Sequence, residues 1–253
     1  MIVFPMAGRG TRFINQGIQI PKYFLQLHNH TVFYWVMKSF KAFRDEFHLF
    51  ILGPHNHSDL AKIAKELQEL DITSYEIVVL SDNTDGQATT VLEGLKKSKI
   101  AIKAKEDPIL IFNIDTIRPN FQCLDYGLSN CWVETFEGQG DHWSFVMPSE
   151  VNKKTAIKIV EKKRISNLCC TGAYYFPQVS TYFWLYNEYE NIERESDQGI
   201  ILSEKFVSSI LQTAIENNVE VTYDTVDSNY VLASGTPEEY EKLKDIQFPI
   251  LFK

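Results

Sequence analysis

Three cations stand close to two glycines near the start of the chain. Gly8 and Gly10 flank Arg9, Arg12 follows, and Lys22 comes ten residues later behind Pro21. Glycines lack a Cβ, so backbone there can approach a ligand closely. Arginine and lysine bring the positive charge that transfer chemistry on a triphosphate requires. Three uses fit such a stretch: holding a dinucleotide, holding a triphosphate, or turning the chain with solvated arginines. A Walker loop is absent. A dinucleotide fingerprint needs a third glycine and a later acidic residue; here Phe13 stands at the glycine position and the later stretch reads His28-Asn29-His30.

A turn of this kind works only where a scaffold holds it. Residues 2–6 are apolar and end at Ala7-Gly8, which predicts a buried strand running into the turn. A helix is predicted over 31–43, with Phe33, Val36, Met37 and Phe40 on one face. An apolar run over 47–53 precedes an amphipathic helix over 59–70. A strand over 76–80, a helix over 87–97 and a strand over 108–113 follow, the last running into Asp115. Strands alternating with helices predict a mainly parallel sheet. In open sheets of this type ligands sit at the carboxyl ends of strands, which is where the glycine turn and Asp115 fall.

The second half has a different texture. Strands are predicted over 143–147, 156–160 and 171–176 without helices between them. Helices return over 179–190 and 203–217, then a strand over 219–223 and a helix over 237–246. No internal repeat or linker-like tract interrupts the chain. The expectation is one continuous domain over 1–253, a Rossmann-like α/β fold with a mixed, mainly parallel sheet flanked by helices.

Composition narrows the function. A chain of 253 residues with 44% hydrophobic content supports a sizeable core without disulfides or metals. The net charge of −8, with no long basic run, argues against nucleic acid or an anionic membrane as partner. Cys123, Cys131, Cys169 and Cys170 form no C-x-x-C pair, which points to reduced thiols in a cytoplasm rather than a zinc site. No secretory leader and no apolar run of membrane-spanning length is read. His55 and His57 read as part of a loop, and Cys169-Cys170 as buried packing.

Five stretches together carry a resemblance. "PMAGRGTRF" followed by "PKYFLQL" resembles the signature loop of the nucleotidyltransferases that make nucleoside-diphosphate sugars and related activated compounds. "DGQATT" resembles their base-contacting loop, and "IFNIDT" the strand ending in a metal-binding aspartate. "VEKKRISNLCCTGAYYF" resembles their Glu-Lys element and following Thr-Gly strand, and "VLASGTPEEY" their closing Gly-Thr-Pro element. The order matches over nearly the whole chain.

The resemblance implies attack of an acceptor phosphate on the α-phosphorus of a nucleoside triphosphate, with pyrophosphate leaving. It implies backbone of Ala7, Gly8 and Gly10 on the nucleotide, Arg12 on the leaving phosphates and Lys22 toward the α-phosphate. Gly86 and Gln87 match the base site, and Asp115 the ligand of a Mg²⁺ ion. Lys162 matches the residue facing the acceptor phosphate and Glu161 the one facing its body, with Trp143, Thr171, Gly172 and Glu204 bordering that pocket. Residues 1–120 form the nucleotide-binding half and 121–253 the acceptor-binding half. The partners are a nucleoside triphosphate and a small phosphorylated acceptor; oligomeric state, a homo-oligomer included, is left open.

Two positions depart from the pattern. Members often carry an aspartate where this chain has Ala233; Asp224 or Asp227 could replace it, or Asp115 alone could suffice. Many sugar enzymes carry a glycine near Ser144, and the bulkier Trp143-Ser144 pair disfavours a hexose. The chain looks most like the cytidylyltransferases that activate non-sugar phosphates such as phosphocholine or, in capsule decoration, phosphoglutamine. A sugar-1-phosphate enzyme and a non-catalytic nucleotide-sensing subunit are the alternatives.

Overall fold

The computed structural model describes residues 1–122, 129–152, 154–191 and 204–252. Cys123 and Ser203 lie outside the described residues. β1 (Ile2–Met6) leads through the glycine turn into the one-turn helix α1 (Thr11–Ile14). A hairpin of β2 (Gln26–Leu27) and β3 (His30–Thr31) precedes α2 (Val32–Ser39). β4 (His48–Leu52), α3 (Leu60–Glu69), β5 (Tyr75–Val79), α4 (Gln87–Lys97), β6 (Ile109–Phe112) and β7 (Thr116–Ile117) complete the first half. The second half runs β8 (Cys131–Glu137), β9 (Ser144–Pro148), β10 (Ala156–Glu161), β11 (Leu168–Phe176), α5 (Val179–Asn191) and α6 (Val207–Glu216). β12 (Val221–Val226), β13 (Leu232–Ala233), α7 (Pro237–Leu243) and α8 (Phe248–Leu251) follow.

One mixed sheet gathers nine of these strands in the order β10-β9-β11-β6-β1-β4-β5, with β8 also pairing β11 and β12 pairing β8. The β6-β1-β4-β5 part is parallel throughout, whereas β11 runs antiparallel to β6 and to β8. β7 and β13 pair separately.

Helices cover both faces, which is why β1, β4 and β6 read as unbroken apolar runs. Ile2, Phe4 and Met6 point to one face, where they pack with Phe33, Val36, Met37 and Phe40 of the α2 region and with Ile63 and Leu67 of α3. Val3, Ile51 and Ile111 point to the other, against Val91 and Leu95 of α4 and Ile210 and Leu211 of α6. Cys131, Cys169 and Cys170 are buried free thiols.

The helix expected over 31–43 ends at Ser39, and a single 3-10 turn over Lys41–Phe43 follows it. Its start is set by Thr31, whose hydroxyl accepts the Tyr34 N–H at 3.0 Å as an N-cap. The helix expected from 203 begins at Val207, because Lys205 is tied by backbone hydrogen bonds to Asp85 and Ala88 and Phe206 is extended. β8 was not expected. Its residues are buried on both faces as far as Phe136, so no alternation marks it, and a charged Glu134 interrupts the apolar run. Among the described residues no helix is long and apolar enough to cross a membrane.

The topology locates a crevice. From β1 the chain adds β4 and β5 on one side, then returns to place β6 on the other. The carboxyl ends of β1 and β6 therefore flank a point where strand order reverses, and such points are where open α/β sheets bind ligands.

Candidate active site

A cavity of about 710 Å³ opens at that crevice. Ala7, Gly8, Gly10 and Arg12 line it from the turn after β1, and Asn113 and Asp115 from the end of β6. The N-terminus of α4 contributes Gly86 and Gln87. The far side is built by Trp143 and Ser144, Glu161 and Lys162, Glu204 and Phe206. Thus twelve of the fourteen residues singled out in the sequence share one cavity, whose walls come from both halves of the chain.

Lys22 reaches the cavity from a one-turn 3-10 helix, Lys22–Phe24. Its neighbour Tyr23 is buried and anchors the turn: the Tyr23 hydroxyl donates to Asp59 Oδ2 at 2.8 Å and accepts from Asn56 Nδ2 at 2.9 Å. Burial, with the Asp59 hydrogen bond and charge, pushes the Tyr23 phenol well above its usual range. The Lys22 ammonium lies 2.5 Å from Asp115 Oδ2.

Asp115 is held by the residue that follows β13. Ser234 donates its N–H to the Asp115 carbonyl at 2.8 Å and its hydroxyl to the same oxygen at 3.0 Å. Gly235 then passes so close that a Cβ there would stand 3.1 Å from Asp115 Oδ2. Neither candidate for a second acidic ligand joins Asp115. Asp224 accepts from Trp132 Nε1 and pairs with Lys154, and Asp227 caps a turn by accepting from the Asn229 N–H. The acidic side chain that does line the cavity near Gly235 is Glu239. It closes a capping box at the start of α7, accepting the Thr236 N–H at 2.9 Å, and meets His142 Nε2 at 3.1 Å.

At the α4 end, the Gln87 side-chain amide donates to Asn113 Oδ1. Asn113 rests in turn on Gly172: the Asn113 N–H donates to the Gly172 carbonyl at 3.1 Å, and a Cβ on Gly172 would strike the Asn113 side chain at 2.5 Å. Thr171 and Gly172 therefore do not line the cavity. They form an irregularity in β11 between Cys170 and Tyr174, with Gly172 at φ 100°, and the Thr171 hydroxyl donates to the Glu134 carbonyl.

At the other end, Ser144 and Glu161 are register partners across β9 and β10. The Ser144 hydroxyl donates to Glu161 Oε2, as does the Ser208 hydroxyl from α6 at 3.0 Å. Burial pushes the Glu161 carboxyl up, and the two serines and Lys162 oppose that rise. Lys162 sits at the end of β10 with φ 55°, and its N–H donates to the Trp143 carbonyl at 2.8 Å. The Lys162 ammonium lies 3.6 Å from Glu204 Oε2 and 4.5 Å from the centre of the Phe206 ring. Trp143 is fixed by its indole N–H to the Gln139 carbonyl at 3.0 Å and by edge contact with Phe136.

Sequence reasoning missed Asn113, Glu239, Phe206 and Ser208. Asn113 and Glu239 lay inside quoted stretches, so a polar side chain at a strand end and the Thr-x-x-Glu capping spacing were available signals. Nothing local marks Phe206 or Ser208.

No family profile and no curated protein matches the chain. Solved structures do. The crystal structure of the nucleoside-diphosphate-sugar pyrophosphorylase from Vibrio cholerae RC9 is 33% identical, covers 97% of this chain and 100% of its own, and superposes with a TM-score of 0.88. A UDP-glucose pyrophosphorylase complexed with UDP-glucose shares the fold at 14% identity, with 96% of each chain covered and a TM-score of 0.71. The inositol-1-phosphate CTP transferase from T. maritima shares it at 14% identity, covering 96% of this chain and 95% of its own, with a TM-score of 0.68. A likeness of one third in sequence over nearly the full length of both chains decides the matter: the protein belongs to the nucleoside-diphosphate-sugar pyrophosphorylase family and is a nucleotidyltransferase.

Proposed function

We propose that the protein transfers CMP from CTP to a small phosphorylated acceptor that is not a sugar, such as L-glutamine phosphate, and releases pyrophosphate, in capsule or surface-polysaccharide biosynthesis. Residues 1–120 carry the nucleotide and 121–253 the acceptor. The observation behind this is the meeting of Lys22 with Asp115 at the crevice, in a cavity whose opposite end holds Lys162.

An acceptor phosphate oxygen bonds to the α-phosphorus while the bond from that phosphorus to the bridging oxygen breaks, and the electron pair leaves with pyrophosphate. Two anions must approach in line, so the barrier is chiefly electrostatic. Arg12 and the backbone of Ala7, Gly8 and Gly10 hold the triphosphate. Lys22 exchanges Asp115 for the α-phosphate. Lys162 binds the acceptor phosphate, and Glu161, Glu204 and Trp143 its body. Thr171 and Gly172 act from behind by supporting Asn113.

The site suits magnesium. Asp115 offers a hard oxygen donor beside a space that only a glycine at position 235 leaves open, and Mg²⁺ commonly takes one or two carboxylates with phosphates and water. Asp115 would hold it, with Glu239 nearby, and the ion would offset charge on the triphosphate oxygens.

The base is met by Gln87, whose side-chain amide gives one N–H to Asn113 and keeps the other N–H and its carbonyl oxygen for a base edge; the carbonyl oxygen can accept from the amino group that cytosine presents. One feature supports the choice of acceptor. The Ser144 hydroxyl and the Trp143 ring occupy space that a glycine would leave to a sugar ring. The name of the Vibrio cholerae relative favours a second reading, a sugar 1-phosphate as acceptor. The non-catalytic alternative has only Ala233 in its support.

Pyrophosphate release should be measured for four triphosphates against phosphorylated sugars, choline and amino acids, with Mg²⁺. Release with CTP and a non-sugar phosphate is the expected result. Release only with a sugar 1-phosphate establishes the second reading, and none with any pair favours the sensor.

A further inference from the structure

Three consecutive residues, Glu204, Lys205 and Phe206, connect the two ends of the cavity. Lys205 lies across Gly86. Its N–H donates to the Asp85 carbonyl at 2.8 Å, and its carbonyl accepts the Ala88 N–H at 2.9 Å. The second bond satisfies one of the N–H groups that the first turn of α4 leaves open. Only glycine permits this crossing: Gly86 adopts φ 142°, and a Cβ there would stand 2.4 Å from both the nitrogen and the oxygen of Lys205.

The Lys205 side chain extends the tie. Its ammonium lies 2.8 Å from Asp85 Oδ2 and 2.7 Å from Glu190 Oε1 on α5. The Thr89 hydroxyl donates to Asp85 and meets the Tyr186 hydroxyl at 2.7 Å, so α4, α5 and the 204–206 segment join in one polar knot. Partial burial works to lower the proton affinity of Lys205, but the hydrogen bonds with Asp85 and Glu190 outweigh it and raise the group above the ordinary lysine range. Glu204 and Phe206, on either side, turn to the other end of the cavity and meet Lys162. Lys205 and Glu190 do not line the cavity themselves.

We propose that Lys205 is a positioning residue for base recognition: it clamps the Gly86-Gln87 turn in the pose that reads the base. This rests on the reading of Gly86 and Gln87 as the base site. Loss of the clamp weakens contacts to the base and spares those to the phosphates, which are made by the turn after β1.

Wild type, Lys205→Ala, Lys205→Arg and Glu190→Gln should be titrated by calorimetry with CTP, UTP and inorganic pyrophosphate, each with Mg²⁺. Lys205→Ala should bind the preferred triphosphate about tenfold less tightly and narrow the preference between bases. Its pyrophosphate affinity should be unchanged. Glu190→Gln should show a smaller loss of the same kind, and Lys205→Arg should restore wild-type preference. Unchanged affinity and preference in Lys205→Ala overturns the proposal, and so does an equal loss for pyrophosphate. If Lys205→Ala does not fold, Glu190→Gln, which leaves the backbone bracket in place, decides on the same measurements. A wild type that binds pyrophosphate but neither triphosphate overturns the base-site reading itself.

Discussion

Lys22 and Asp115 stand 93 residues apart in the chain, and the ammonium of one lies 2.5 Å from the carboxylate of the other. The contact joins the 3-10 turn Lys22–Phe24 to the end of β6 across the point where strand order reverses. Both side chains keep about a fifth of their surface exposed, 23% and 21%. Most of each side chain is out of water, so desolvation offsets much of the attraction and the pair's net contribution to stability is small; its placement matters through the ligand it would face.

Asp115→Asn should separate these roles. It removes one ionised oxygen donor and no core volume. Turnover should fall by about 10²–10³-fold, while the melting temperature should move by no more than about 4 °C. Pyrophosphate release and thermal unfolding measure the two. A near-wild-type rate would remove Asp115 from the reaction.

Lys162→Ala should act on one substrate. The ammonium stands at the end of the cavity away from the glycine turn, against Glu204 and Phe206. Losing a charged hydrogen bond to the acceptor phosphate should raise the acceptor KM about 10–100-fold, with the nucleotide KM nearly constant. Initial rates with each substrate varied in turn would show this, and equal rises in both constants would contradict the placement.

The strand pair next to Asp115 depends on a buried ion pair. Arg118, three residues after Asp115, donates to both Glu134 oxygens at 2.7 and 2.9 Å and to the Tyr230 carbonyl at 3.0 Å. The side chains are only 5% and 2% exposed. Arg118→Met leaves Glu134 charged and unpaired, which should cost about 3–5 kcal/mol in urea unfolding. Combining it with Glu134→Leu should recover much of that loss, because no lone charge then stays buried. Equal losses in the single and double variants would mean that packing, not charge, accounts for the effect.

His48 should make stability depend on pH. Its ring is fully buried, stacked with Phe4 and Phe50, and Nε2 has no hydrogen-bond partner among the described residues. Burial lowers its pKa to about 4 from the ordinary 6.5, partly opposed by hydrogen bonds with the backbone of Glu46 and Ser74. The unfolded chain then binds a proton that the folded chain refuses. The stabilisation is complete above 6.5 and is lost as pH falls from 6.5 to 4. Between pH 7 and pH 5 the loss should be about 2 kcal/mol. Urea unfolding of wild type and His48→Phe at both pH values tests this. The variant should lack that component, and a stability difference independent of pH would contradict it.

The first half was largely legible because its signals are local. β1, bounded by the glycine turn, and α4, opened by Gly86, were expected at their observed limits. What escaped depends on partners distant in sequence. β8 hides because Glu134 breaks its apolar run, and only Arg118, sixteen positions earlier, explains a charge there. The start of α6 moved because Lys205 is tied to Asp85 and Ala88 on either side of Gly86. Thr171 and Gly172 sit one layer behind the cavity because Asn113 stands in front of them. Residue types and spacing thus brought twelve of the cavity's lining residues to notice, while the supports behind it needed the tertiary fold.

The most direct test is a crystal structure with a nucleoside triphosphate and Mg²⁺ bound. The expected result is a triphosphate along residues 7–12, with the metal on Asp115 and the Lys22 ammonium turned from that carboxylate to the α-phosphate. A triphosphate bound elsewhere, or one that touches the turn after β1 while Asp115 and Lys22 remain paired and apart from it, would contradict the assignment.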